Sequence, residues 1–226
     1  MNEENTYPIF LIGLTGSMGC GKSFVGDLFS TLGAWMIDTD QVARHVVAPG
    51  SAGLRAVIDH FGISFLEETE HGSPGLDRKK MAAWIFSHPE DRIVLEQMLH
   101  SRILLTIRDT LLQAITPLPE GNTRIAILEV PLLFEAGWDR LCDLTINVAC
   151  GPQQWPRLAA RDNMSEQVKH QVMARQLDEE EKNRRAHRII DNRGSKESTL
   201  AQVQSLWSEC LLLAHNHRRP LWTDVP

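Results

Sequence analysis

The stretch Gly16-Ser17-Met18-Gly19-Cys20-Gly21-Lys22-Ser23 constrains this chain more than any other, because few folds can carry it. It reads G-x-x-x-x-G-K-S, the pattern of a phosphate-binding loop. Glycines let the backbone fold tightly around an anion, so that successive N–H groups point inward. Lys22 can reach the β- and γ-phosphates of a nucleotide, and the Ser23 hydroxyl can hold Mg²⁺. The flanks supply the context that the motif needs. Ile9-Phe10-Leu11-Ile12-Gly13-Leu14 is an apolar run of buried-strand length. Ser23 to Leu32 carries Phe24, Leu28 and Leu32 at i, i+4 spacing and is ended by Gly33, so a helix is predicted to open at the loop. Its N-terminus favours negative charge.

At 226 residues the chain is long enough for one α/β domain with an inserted subdomain. A net charge of −6 argues against general nucleic-acid binding. Met1 to Pro8 is polar and acidic, unlike a signal peptide, and no apolar run approaches a membrane span. Cys20, Cys142, Cys150 and Cys210 form no C-x-x-C pair and no zinc spacing, so a reduced, cytoplasmic protein is the simplest expectation. Cys20 is either a small residue tolerated in the loop or a reactive thiol, activated by the helix N-terminus and protected by ATP.

Further along, Ala34 to Ile37 is a second short strand, ending in Asp38-Thr39-Asp40. Two carboxylates at the carboxyl end of a strand beside a phosphate loop stand where open α/β sheets bind ligands. In an extended segment they point the same way, one suited to the Mg²⁺ shell and the other to accepting a hydroxyl proton. One of them can instead cap the helix predicted over Gln41 to Val47. Arg44, one turn into that helix, either contacts a substrate phosphate or is solvated. From Gly50 to Pro119 no convincing strand is found. Leu54 to Phe61 reads as helix and Glu67 to Gly75 as an exposed loop. Ser87-His88-Pro89-Glu90 reads as a capping box opening a long helix that Thr116-Pro117 stops.

Arg124 to Val130 returns to strand, with Glu129 where many phosphate-loop ATPases carry a metal-shell aspartate; Glu129 and Glu135 each have an equally open structural reading. Leu144 to Ala149 is a fourth strand. Gln153 to Arg185 reads as a charged helical lid. Arg157 and Arg161, four apart, share a helix face that can close over phosphates; Asp178 to Lys182, with Arg184 and Arg185, reads as solvated surface. Arg188 to Asn192 is a fifth strand with its exit. Leu200 to Leu213 is the last helix, with Leu213 among its inner residues. His215 to Pro226 reads as frayed surface. The expected architecture is a doubly wound, five-stranded parallel α/β sheet with a phosphate loop, a helical insertion and a helical lid. It forms a single domain with a core at about 8–49, 120–150 and 187–215, an insertion at about 50–119 and a lid at about 151–186.

The ordered set of motifs resembles the dephospho-coenzyme A kinases nearly end to end. It comprises Gly13-Leu14-Thr15-Gly16 leading into Gly21-Lys22-Ser23, Ile37-Asp38-Thr39-Asp40 with Ala43-Arg44, and Phe86 followed by Leu95-Glu96 and His100. Pro131-Leu132-Leu133-Phe134-Glu135, Arg157-Leu158-Ala159-Ala160-Arg161-Asp162 and Ile190-Asp191-Asn192-Arg193-Gly194 complete it. The chain departs from that pattern at Ser101, where proline is usual, and at Glu129 and His187, where aspartate is frequent. Phe24 replaces the usual second hydroxyl residue after the lysine.

The resemblance implies phosphoryl transfer from ATP, with Mg²⁺, to the ribose 3′-hydroxyl of dephospho-coenzyme A. In that reading Gly16, Gly19, Cys20, Gly21, Lys22, Ser23 and Phe24 bind the nucleotide, and Asn192 lies near its adenine. Ser23 and Asp38 serve the metal. Asp38, Asp40 and Arg44 face the acceptor. Lys22, Asp40, Arg157 and Arg161 are catalytic. The expected molecule is a monomer or weak homo-oligomer without nucleic-acid or membrane partners. The rival readings are another small-molecule kinase on this fold and a non-catalytic, nucleotide-gated binding protein.

Overall fold

Short apolar runs that are hydrophobic on both faces are stable only when helices cover both sides of a sheet. The computed structural model describes residues 6–68, 72–115, 118–119, 122–160 and 165–222. In chain order, β1 (Thr6–Tyr7) and β2 (Ile9–Thr15) precede α1 (Lys22–Thr31), β3 (Trp35–Asp38), α2 (Thr39–Val46) and α3 (Ala52–Phe61). β4 (Leu66–Glu68), β5 (Pro74–Leu76), α4 (Arg78–Ser87) and α5 (Pro89–Ile115) follow. Then come β6 (Arg124–Glu129), β7 (Leu144–Ala149), α6 (Gln154–Ala159), α7 (Glu166–Met173) and α8 (Glu179–Arg185). β8 (Arg188–Asp191), α9 (Lys196–Ala214) and β9 (Arg219–Pro220) end the order.

Five strands form one sheet in the order β3-β6-β2-β7-β8, every pairing parallel. The chain leaves central β2 for the edge at β3, returns beside β2 as β6, and crosses to the other side for β7 and β8. Ligands of open α/β sheets bind at the carboxyl ends of strands where the order reverses, and the loop leaving β2 stands there. β2 and β7 are buried along their whole length, whereas edge strands β3 and β8 are partly exposed.

The described residues fall into two compact units, Met1–Asp38 with Leu111–Leu221, and Thr39–Thr110 with Trp222–Pro226. In the first, Phe10, Ile12 and Leu14 join Ile125, Ile127, Ile146 and Val148 on one face of the sheet, at the two-residue spacing of a strand. Val25 and Phe29 of α1 and Val203, Leu206 and Cys210 of α9 close over them. In the second, Val46, Leu54, Val57, Phe65, Leu76, Met81 and Leu95 form a separate core.

Several expectations are corrected. The insertion holds an antiparallel hairpin, Leu66 opposite Leu76 and Glu68 opposite Pro74; three-residue strands containing Pro74 and Gly75 show no alternation to detect. α5 starts at Pro89, but Ser87 closes α4, its hydroxyl donating to Ala83 O rather than capping the next helix. α5 runs to Ile115, and Thr116 and Pro117 lie outside the described residues. Among the described residues the stretch Gln153 to Arg185 holds three α-helices, since Ser165 and Asp178 act as N-caps that accept from Val168 N and Glu181 N. In α9, Leu213 is exposed and Ala214, four residues after Cys210, is buried instead. The tail is packed up to Trp222: β9 pairs with β1, Leu221 is buried, and Arg219 bonds Asp143 at 2.9 Å. Residues 223–226 lie outside the described residues. Among the described residues no helix is long and apolar enough to cross a membrane.

Candidate active site at the phosphate loop

β2 ends at Thr15, the loop follows, and α1 opens at Lys22. Gly21 is the N-cap of α1 at φ 85°, ψ 28°, and contributes no side chain to the helix end. The first turn of α1 carries no acidic residue. Its leading N–H groups and the positive end of its dipole therefore lack an internal anion, which suits them to phosphate. Gly21 cannot be replaced cheaply. A Cβ there would sit in the left-handed region and 2.3 Å from Asn192 Nδ2. Gly19 has φ 89°, and Gly16 packs so closely on β7 that a Cβ would meet Val148 O at 3.0 Å.

Lys22 and Ser23 converge on one carboxylate. Lys22 Nζ lies 2.5 Å from Glu129 Oε1, and Ser23 Oγ donates to the same oxygen at 3.2 Å. The ion pair is largely shielded, with side chains 15% and 14% exposed. Glu129 is the last residue of β6, and its register partner on β3 is Asp38. Glu129 thus stands in the loop's own cluster, at the end of the strand beside β2.

Asp38 and Asp40 do not share an extended segment. β3 ends at Asp38 and α2 begins at Thr39, so Asp40 lies in the first helical turn. The alternation argument for their common direction fails because the chain turns into a helix between them. Asp38 belongs to the first unit, and Asp40 and Arg44 to the second. Arg44 is exposed, and its carbonyl accepts from Arg78 Nη2 at 3.1 Å. Burial, followed by the Arg44 charge, holds the Arg78 guanidinium below its ordinary pKa.

Asn192 braces the loop. Its buried amide donates to Cys20 O at 2.7 Å, and its Oδ1 accepts from Thr199 Oγ1 at 2.9 Å. Arg157 on α6 donates from Nη2 to Asn192 O at 2.8 Å, which brings the first lid arginine to the loop's edge. Arg161 lies outside the described residues. Phe24 is half-buried in the first turns of α1, under the Lys196 ammonium.

Cys20 corrects the reading of a reduced, free thiol. It is disulfide-bonded to Cys150, just past β7, across 130 residues of sequence. No spacing rule signals a pair so far apart, since sheet pairing alone brings the two together. Cys142 and Cys210 are free, and burial pushes their thiols up, to about 12 and about 11.

Sequence reasoning also missed two acceptor–donor arrangements, one buried and one at the surface. Lys182 and Glu135 form an ion pair at 3.3 Å, with the lysine side chain wholly buried. The charge run Glu179 to Arg185 hides it, because nothing in the composition separates its inward residues from the solvated ones. His187 Nδ1 accepts from Thr145 N at 3.0 Å, which leaves the ring proton on Nε2. The imidazole thus supplies an acceptor, as the carboxylate frequent at this place in similar sequences would.

The comparisons agree with this geometry. The family model for dephospho-CoA kinase matches residues 10–198. A dephospho-CoA kinase of Shewanella oneidensis is 38% identical over 209 residues, covering 92% of this chain and 97% of the relative. Among solved structures, TT1252 from Thermus thermophilus superposes with a TM-score of 0.67 at 29% identity, over 88% of this chain and 97% of its own. Dephospho-CoA kinase from Campylobacter jejuni shares the fold, with a TM-score of 0.63 at 24% identity over 91% and 98% of the two chains. With the phosphate loop, the Lys22–Glu129 cluster and a family match over most of its length, the chain belongs to the dephospho-CoA kinase family.

Proposed function

We propose that the protein transfers the γ-phosphoryl group of ATP to the ribose 3′-hydroxyl of dephospho-coenzyme A, giving coenzyme A and ADP, the last step of coenzyme A biosynthesis. The observation that carries this reading is the start of α1, where Lys22 and Ser23 of the phosphate loop converge on the Glu129 carboxylate at the end of β6. It is a phosphate site with one cation and one hydroxyl already placed.

In the reaction the acceptor oxygen forms a bond to the γ-phosphorus, and the bond from that phosphorus to the bridging oxygen of ADP breaks. The acceptor proton goes to Asp40, whose place in the first turn of α2 supports the assignment. Arg44, on the same short helix, is the candidate for the acceptor's own phosphates. Lys22 and the N–H groups from Gly19 to Ser23 hold the β- and γ-phosphates. Arg157, with Arg161, balances the charge that spreads over the transferring oxygens. Asn192 fixes the loop from the side on which we place the adenine.

A hard divalent cation takes oxygen ligands, and the Ser23 hydroxyl and the Glu129 and Asp38 carboxylates at adjoining strand ends are such a set. We therefore assign Mg²⁺ to Ser23, with Asp38 and Glu129 in its shell. When bound it would neutralise phosphate charge. The acidic balance of −6 supports a protein without nucleic-acid partners, and we take it to be a monomer or weak homo-oligomer.

Asp40→Asn tests the proton assignment. Turnover should fall by ~10²-fold or more while ATP binding persists. Near-normal turnover would remove Asp40 from the role of base.

A further inference from the structure

Lys182 presents a physical problem. An ammonium removed from water is costly unless paired and hydrogen-bonded, and this one is wholly buried on a short helix rich in charge. Its Nζ donates to Pro131 O at 3.0 Å and pairs with Glu135 Oε1 at 3.3 Å. The same Glu135 oxygen accepts from Leu177 N at 2.7 Å, and the same Pro131 carbonyl accepts from Thr15 Oγ1 at 3.3 Å. One carboxylate and one carbonyl thus join the end of β2, the exit of β6 and both ends of the segment Leu177–Lys182.

The neighbours of that segment reach the remaining loops at this end of the sheet. Gln176 Oε1 accepts from Met18 N, in the middle of the phosphate loop, at 3.0 Å. Met18 O accepts from Gln154 Nε2, also at 3.0 Å, so these two side chains take both backbone polar groups of Met18. The Glu179 carboxylate accepts from Cys150 N at 2.6 Å and Gly151 N at 3.0 Å, where β7 ends. Four residues of this seven-residue stretch, Gln176, Leu177, Glu179 and Lys182, therefore touch the loops leaving β2, β6 and β7 through directed polar contacts.

We propose that Gln176–Lys182 is a brace that positions the phosphate loop, with Lys182 and Gln176 as positioning residues for the nucleotide's phosphates. The inference rests on reading that loop as the ATP site, and not on the identity of the acceptor. The route is explicit. Lys182 holds Glu135, Glu135 holds the Leu177 amide, and Leu177 sets its neighbour Gln176 against Met18 N. Loss of the Lys182 charge strands the buried Glu135 carboxylate and releases residues 176–177. Loss of the Gln176 amide cuts only the last link.

The test is the affinity of the full chain for Mg-ATP, by calorimetric titration without acceptor, for wild type, Gln176→Ala, Lys182→Met and the double variant. Thermal unfolding of each nucleotide-free protein is the control for folding. Gln176→Ala removes one hydrogen bond and should weaken binding by ~5–10-fold with a nearly unchanged midpoint. Lys182→Met should weaken it by more, and the double variant by no more than Lys182→Met alone, because both act on one route. In turnover assays the loss should appear in KM for ATP more than in kcat. Wild-type affinity in folded Gln176→Ala, or additive losses in the double variant, would overturn the brace. If Lys182→Met fails to fold, Gln176→Ala and Lys182→Arg decide by the same measure. A wild-type protein that binds no ATP would instead overturn the reading of the loop itself.

Discussion

Glu129→Gln separates the pairing with Lys22 from the metal role proposed for the same carboxylate. Glu129 holds Lys22 at 2.5 Å and accepts from Ser23 at 3.2 Å. Without a divalent cation, an incoming γ-phosphate must compete with that carboxylate for Lys22 and also approach its negative charge. The amide removes both obstacles and keeps the shape. Exposed ion pairs are worth ~0.2–1 kcal/mol, and fully buried ones cost several when broken. A pair 15% and 14% exposed lies between, at ~1–2 kcal/mol. Released to the nucleotide, this tightens ATP binding by ~5–30-fold. The assay is titration with ATP in excess chelator and again with saturating Mg²⁺, paired with turnover. Glu129→Gln should bind metal-free ATP more tightly than wild type, yet lose that advantage, and turnover, when Mg²⁺ is present. Weaker binding in chelator would show that Glu129 presents Lys22 to the phosphate rather than competing for it. Unchanged turnover with Mg²⁺ would remove Glu129 from the metal shell.

Three other perturbations have defined outcomes. Gly21→Ala combines a left-handed residue, costing ~1–2 kcal/mol, with displacement of the Asn192 amide from Cys20 O, ~1–3 kcal/mol more; thermal unfolding should show a clear loss, and a wild-type midpoint would contradict the cradle geometry. Non-reducing peptide mapping should find Cys20 linked to Cys150, and reduction should lower the melting midpoint by roughly 5–15 °C, because a long loop is released in the unfolded chain; an unlinked pair or an unmoved midpoint would refute it. Burial first, and then the neighbouring Lys22 charge, hold the Lys182 pKa below its ordinary value, against the pull of Glu135. The unfolded chain therefore binds more protons as pH rises from the folded pKa towards about 10.4, and stability rises across that window. Measured against Lys182→Met, wild type should gain stability on going from neutral to alkaline pH, and a constant difference would contradict the burial of a charged Lys182.

What could be read from the sequence divides along physical lines. The central strands were legible because burial on both faces writes a continuous apolar run, and Leu144 to Ala149 matches β7 residue for residue. The loop was legible because phosphate chemistry requires glycine, lysine and serine at fixed spacing. The hairpin at Leu66–Leu76 was not, since its strands are too short for a period. The shared direction expected of Asp38 and Asp40 depended on a strand that ends at Asp38, two residues too soon. Lys182 and Cys150 were beyond reach for a common reason. Their roles are set by partners 47 or more residues away, which only the sheet order brings together. The hydrogen bonds of the Asn192 amide to the loop and to Thr199 were not legible either, because they join residues far apart in the chain or across a turn.

The central claim is tested most directly by ADP release from the purified protein with Mg-ATP, with and without dephospho-coenzyme A, and by the mass of the acceptor afterwards. The account predicts a rate that depends strongly on the acceptor and a product carrying one added phosphate on the ribose. Normal ATP binding, with ADP release that dephospho-coenzyme A does not stimulate, would contradict it.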